Sequence, residues 1–131
     1  MIRCHVLFSI EGDLIRCKVI RRVSRFLVLL RCSYGKCVGL LRNTGRLEDV
    51  IYPGSEVICL YKGTPRADCI IIGKVFGVRA SILDTRLQHK AVAVLLQREL
   101  LPWLRGWRLR KTEVRFGGSR FDFELESAGG L

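Results

Sequence analysis

Between residues 14 and 72 the chain is cut into short apolar runs by turn signals that recur about every ten residues. The runs are Leu14 to Ile20, Phe26 to Leu30, Cys37 to Leu41, Glu56 to Tyr61 and Cys69 to Ile72. Between them lie a basic corner, Arg21-Arg22-Val23-Ser24-Arg25, and the turns Tyr34-Gly35-Lys36 and Lys62-Gly63-Thr64-Pro65. Asn43-Thr44-Gly45 and Tyr52-Pro53-Gly54-Ser55 bracket a single helical turn. Residues 2 to 10 also read as strand-like and turn at Glu11-Gly12-Asp13. Five or six short strands with one helical connection predict a five-stranded barrel of the OB type over residues 1–77. The fold class expected is α+β and β-rich.

Character changes after Gly77. Leu87, Ala91, Val94 and Leu95 recur at helical spacing behind Asp84 or Thr85 as N-cap, and Pro102 stops the pattern, which predicts a helix over about 85–101. His89 lies among polar neighbours and reads as a surface residue, and Trp103 and Trp107 as seals on a core at the helix exit. Residues 111–126 then alternate about Gly117-Gly118, the signature of a tight hairpin. Thr112, Val114 and Phe116 share a face with Phe121, Phe123 and Leu125. A one-residue slip would put half of the phenylalanines in water, so Val114 should face Phe121, Arg115 face Arg120, and Glu113 face Asp122. Residues 78–131 thus form a second, partial α/β segment, ending in a flexible tail from Ser127.

The charged face of that hairpin has two readings. One is a solvated surface of alternating sign, with each like pair offset by an opposite charge on the diagonal. The other is a carboxylate pair, Glu113 and Asp122, for a divalent cation, flanked by arginines able to hold phosphate.

The chain carries 23 Lys and Arg against 12 Asp and Glu, a net charge of +11 with a pI near 10.0. Over residues 1–77 thirteen bases face six acids. Such a balance points to a polyanionic partner, DNA or RNA, and the excess of arginine over lysine favours directed phosphate contacts. The residues placed to make them are Arg16, Lys18, Arg21, Arg22, Arg25, Arg42 and Arg46, with Asn43 and Thr44 in the loop and Arg120 on the hairpin. The N-terminus lacks the apolar core of a signal peptide, and the run Ala91 to Leu96 is too short to span a bilayer. A cytoplasmic protein without a membrane partner is expected.

Six cysteines, at 4, 17, 32, 37, 59 and 69, form no Cys-x-x-Cys pair, and the only histidines are His5 and His89. Spacing therefore gives no zinc signature, and the cysteines read as small apolar core residues. Disulfides are expected only if the source is a hyperthermophile.

Four stretches in order resemble the sugar fermentation stimulation protein A (SfsA) family, described as DNA-binding proteins or DNA/RNA nucleases. They are Val19 to Leu27, with its basic corner entering Arg-Phe-Leu; Asn43-Thr44-Gly45-Arg46-Leu47 with Pro53-Gly54-Ser55; Asp84-Thr85-Arg86-Leu87, where the family usually has Asn for Asp84; and Glu113-Val114-Arg115-Phe116-Gly117 with Ser119-Arg120-Phe121-Asp122-Phe123. The resemblance runs from about residue 14 to 126. It implies an OB-like domain followed by the opening of a restriction-endonuclease-like domain. In such nucleases an Asp, matched by Asp122, and a Glu-x-Lys on the next strand hold Mg²⁺ or Mn²⁺ and activate water. No Glu-x-Lys strand follows Asp122, and Glu124 stands where the family prefers an apolar residue. The expectation is a nucleic-acid-binding protein without a complete catalytic site. The alternatives are a metal-dependent nuclease using Glu113 and Asp122, completed by a complementing subunit, a homodimer partner or further residues, and a regulator of sugar-utilisation genes.

Overall fold

The computed structural model describes residues 6–127. Its packing divides into two compact units, Ile10–Gln88 and one formed by residues 6–9 and 89–127.

The first unit is built from β1 (Leu14–Arg22), β2 (Leu27–Cys32), β3 (Gly35–Leu40), β4 (Glu56–Leu60), β5 (Cys69–Phe76) and β6 (Arg79–Ile82). The strands follow the order β3-β2-β1-β4-β5-β6, and β3 also pairs with β5 in parallel. That extra pairing closes five strands into a ring, β1-β2-β3-β5-β4, which is the expected OB barrel. The ring is not a clean one, because β5 also carries β6 as an added edge strand. All four residues of β6 are exposed, so no alternation marks it in the sequence.

Alternation explains the barrel wall. Cys17 and Val19 on β1 and Val28, Leu30 and Cys32 on β2 point inward, and Arg16, Lys18 and Arg31 between them point out. The core adds Leu41, Ile51, Val57, Cys59, Cys69, Ile71 and Leu83. Each of its fully buried Leu, Ile or Val side chains contributes roughly 1.5–3 kcal/mol. Gly39 sits where any side chain would collide, since a Cβ there would lie 2.7 Å from Leu30 Cδ1 and 2.9 Å from Ile71 Cγ1. Gly73 is equally constrained: a Cβ would lie 2.5 Å from the Ser81 carbonyl oxygen of β6.

The seam between β3 and β5 is short, with Gly39 opposite Cys69 and Leu40 opposite Ile70. Asp68 extends it. Its backbone N–H donates to the Val38 carbonyl (2.8 Å) and its carboxylate accepts from the Val38 N–H (2.8 Å). The mid-chain connection contains one turn, closed by the Ile51 N–H on the Leu47 carbonyl at 2.8 Å.

Four cysteines are buried in this core and Cys37 is half-buried. Cys32 and Cys37 form a disulfide, and Cys17, Cys59 and Cys69 are free thiols. Burial pushes the Cys17 thiol up. A hydrogen bond with Cys69, together with burial, pushes Cys59 up and leaves it protonated at neutral pH.

Helix α1 spans Thr85–Gln97. Asp84 caps it, its carboxylate accepting from the Leu87 N–H at 3.0 Å. The helix ends four residues short of the expected 101, because Glu99 adopts a left-handed φ of 51° before Pro102 is reached. A 3₁₀ turn follows at Pro102–Leu104. Trp103 and Trp107 are exposed, at 75% and 40%, so neither seals a core. His89 is half-buried rather than a surface residue, its ring stacked on Phe123 with centroids 4.7 Å apart.

β7 (Trp107–Phe116) and β8 (Ser119–Ser127) form the hairpin. Val114 faces Phe121 and Arg115 faces Arg120, as the alternation requires. Glu113 has a left-handed φ of 54° between the Thr112–Phe123 and Val114–Phe121 pairs, so the ladder is locally distorted beside Asp122. Residues 6–10, expected to be strand-like, carry no strand; residues 1–5 of that stretch, including Cys4 and His5, lie outside the described residues. Ser127 belongs to β8, and the rest of the expected tail also lies outside them. Among the described residues no helix is long and apolar enough to cross a membrane.

Candidate nucleic-acid interface

The barrel's outer wall carries a row of like charges that only strand register creates. Lys18 on β1 faces Arg31 on β2, and Arg31 faces Lys36 on β3. All three are exposed. Cations directly opposite one another on a sheet destabilise it by roughly 0.2–1 kcal/mol per pair. The row ends on β4, where Glu56 faces Lys18. Glu56 is already engaged by Arg16, whose Nε donates to its carboxylate at 2.6 Å and holds the carboxyl below its ordinary range. Arg31 and Lys36 were not among the residues expected from sequence. Their signal is positional: each adjoins an inward cysteine, so each must point out. Tyr34, two residues before Lys36, meets Tyr61 edge-on at 5.6 Å, and both rings are exposed. Exposed rings of this kind offer faces on which bases stack.

A second basic region lies at the corner between β1 and β2. Arg22, Ser24, Arg25, Arg46, Glu48, Ile51, Tyr52 and Pro53 line a cleft of about 690 Å³. Backbone carbonyls hold its arginines in place. Arg22 donates to the carbonyls of Arg25 (2.9 Å) and Arg46, and Arg25 donates to that of Thr44 at 2.6 Å. A guanidinium has five N–H groups, so donors remain for a ligand. Tyr52 receives the ammonium of Lys74 over its ring at 4.3 Å, and Phe76 receives it at 5.5 Å. Lys74 is itself buried, at 4% exposure, so two aromatic faces offset much of the cost of its desolvation.

The other residues singled out in the sequence have different surroundings. Arg21 is exposed and makes only a long contact, 3.4 Å, with the Arg22 carbonyl. Arg42 turns inward, its Nε and Nη2 gripping the fully buried Asp84 at 2.5 and 2.9 Å. It is a structural partner of Asp84, which binds it in the bidentate fork that suits arginine. Asn43 is also structural, donating to the Leu83 carbonyl (2.9 Å) and accepting from the Gly45 N–H (2.8 Å). Thr44 contributes its carbonyl to Arg25. Arg16, Lys18, Arg22, Arg25 and Arg46 thus remain at the surface of one unit.

On the hairpin, Arg120 pairs with Glu113 at 3.0 Å and Asp122 is exposed. Among the described residues no group of three or more ligand side chains gathers around Glu113 and Asp122. Two exposed carboxylates without a third donor are a poor cage for a hard cation, which demands converging oxygens. The residues present therefore do not by themselves fit Mg²⁺ or Mn²⁺.

A five-stranded ring closed by a parallel β3–β5 seam, with a cationic outer wall, defines an OB domain. The comparisons agree with it: residues 20–69 match the SfsA N-terminal OB domain. The chain is thus similar to SfsA proteins. A sugar fermentation stimulation protein homolog from Pyrococcus furiosus is 39% identical over 119 residues, covering 91% of this chain and 52% of the relative. The homolog from Moorella thermoacetica is 34% identical over 126 residues, covering 92% and 53%. The structure of Pyrococcus furiosus SfsA in complex with Ca²⁺ superposes with a TM-score of 0.82 at 36% identity, covering 97% of this chain and 55% of that one. The chain spans about half the length of these relatives.

Proposed function

We propose that this chain binds DNA or RNA through the outer wall of its OB barrel, with Lys18, Arg31 and Lys36 on phosphates and Arg22, Arg25 and Arg46 continuing the track around the corner. The observation that carries the reading is the cation row. Three like charges aligned across adjacent strands weaken the fold slightly, and a bound phosphate backbone relieves that repulsion. The ring pair Tyr34 and Tyr61 supports base stacking without base-edge reading, so sequence preference is weak. If three phosphates are neutralised, the logarithm of affinity falls against that of salt with a slope of about −2 to −3. Doubling ionic strength then lowers affinity roughly four- to sixfold. Fluorescence anisotropy with labelled oligonucleotides measures this directly; binding that ignores salt, or no binding at low salt, overturns it.

A second reading concerns the hairpin. The related Pyrococcus furiosus SfsA was solved with Ca²⁺, which favours a divalent-cation site in that protein. In this chain Glu113 and Asp122 would supply two of the ligands, with others from a partner subunit or from residues beyond the described ones. Plasmid cleavage with Mn²⁺, lost on Asp122→Ala, supports this reading, and activity that survives the substitution counts against it.

A further inference from the structure

The fold brings together cysteines that sequence spacing keeps apart. The sulfurs of Cys17, Cys32 and Cys37 all lie within 4.8 Å of one another. They come from three neighbouring strands, β1, β2 and β3, so the barrel wall fixes their spacing. Among the described residues no carboxylate or imidazole belongs to the group, which makes it a purely soft donor set. Cys59 and Cys69, the other free thiols, are buried in the same core. In this structure Cys32 and Cys37 are joined as a disulfide, leaving Cys17 as the free member.

We propose that, once the Cys32–Cys37 disulfide is reduced, Cys17, Cys32 and Cys37 bind a thiophilic divalent ion of the zinc and cadmium class. The disulfide form keeps that site closed. An ion about 2.3 Å from each of three sulfurs holds them roughly 3.8–4.0 Å apart, which the trio meets by side-chain rotation with the strands in place. Three thiolates select such an ion over Mg²⁺ or Ca²⁺, which prefer oxygen. Half-buried Cys37, beside the β2–β3 turn, provides the approach from solvent, and a water completes the fourth position.

The residues behind the trio favour the charge it must carry. Lys18, Arg31 and Lys36, the cation row, each adjoin one of the three cysteines in sequence and point out from the opposite face of the wall. Three thiolates and a dication leave one net negative charge, and those cations lie just across the sheet from it. The redox step balances simply. The disulfide takes two electrons and two protons from a dithiol reductant, which becomes a disulfide itself. Binding then releases the thiol protons to solvent.

The test is an anaerobic titration of the full chain with Cd²⁺, after reduction by a dithiol and its removal, read by near-ultraviolet sulfur-to-cadmium charge-transfer absorbance. The expected result is a band saturating at one ion per chain, absent before reduction. Cys17→Ser and Cys37→Ser each weaken binding at least tenfold, and Cys69→Ser does not. Circular dichroism reports folding; should buried Cys17→Ser not fold, Cys37→Ser at the half-buried position decides. No band in the reduced wild-type chain, or an unchanged affinity in Cys37→Ser, overturns the proposal.

Discussion

Arg31 offers the sharpest test of the interface, because its removal moves stability and binding in opposite directions. It is the middle cation of the row, facing Lys18 on one side and Lys36 on the other. Arg31→Gln keeps a polar, though shorter, side chain and removes both repulsions. At roughly 0.2–1 kcal/mol per pair the two sum to about 0.4–2 kcal/mol. Screening of exposed charges places the gain toward the low end, near 0.5 kcal/mol at ordinary ionic strength. The substituted chain should therefore unfold at slightly higher urea, and the gain should grow as salt is lowered. Binding should weaken at the same time. Losing one phosphate contact reduces the slope of log affinity against log salt by about 0.7 for a single strand and 0.9 for a duplex. Urea melts and anisotropy titrations over a series of salt concentrations measure both quantities on one preparation. An unchanged salt slope would remove Arg31 from the interface, and a loss of stability would falsify the view that it is a repelled charge.

Other expectations follow from the contacts. Asp84→Ala leaves the Arg42 guanidinium without its fork and uncaps α1, which should cost about 3 kcal/mol in urea unfolding; a change below 1 kcal/mol would make that pair dispensable. Gly73→Ala drives a Cβ toward the Ser81 carbonyl, and overpacking of this kind costs roughly 1–3 kcal/mol. Loss of the β6 amides' hydrogen-exchange protection is the signature to look for, and full protection would contradict the clash. Glu56 titrates below its ordinary value because Arg16 donates to it. Its contribution to stability is present above the unfolded value of 4.5 and fades as pH falls through the lower folded one. In Arg16→Ala the carboxyl resonance of Glu56 should therefore shift at higher pH than in the parent, and an unmoved midpoint would assign the depression to something else.

What the sequence revealed depended on how local the governing force was. The hairpin could be read in detail, since period-two alternation around Gly117-Gly118 leaves a single register that keeps Phe121 and Phe123 with Val114. The barrel strands could be read for the same reason. β6 could not, because its four exposed residues alternate against nothing. Arg42 looked like a loop cation until the chain brought it to Asp84, 42 positions away. Arg31 and Lys36 are two unremarkable bases in the sequence, and register alone aligns them with Lys18. The cysteines lacked any metal spacing because their neighbourhood is made across strands. Glu99 shows the limit of breaker rules: Pro102 forbids a longer helix, but the left-handed turn at Glu99 ends it first.

The two-residue seam between β3 and β5 sets how this barrel breathes. Every other junction around the ring is a longer antiparallel ladder, whereas this one joins strands about thirty positions apart in the chain through only two residue pairs, so it has the least pairing to offset its closure cost. Opening should begin there, with the Val38 amide released from the Asp68 carboxylate. A barrel unzipped at that line becomes a curled sheet with two bare edges, the form most prone to pair with another copy of itself. Asp68 then acts as a latch, and its charge at the mouth of the gap also discourages a stranger strand from entering.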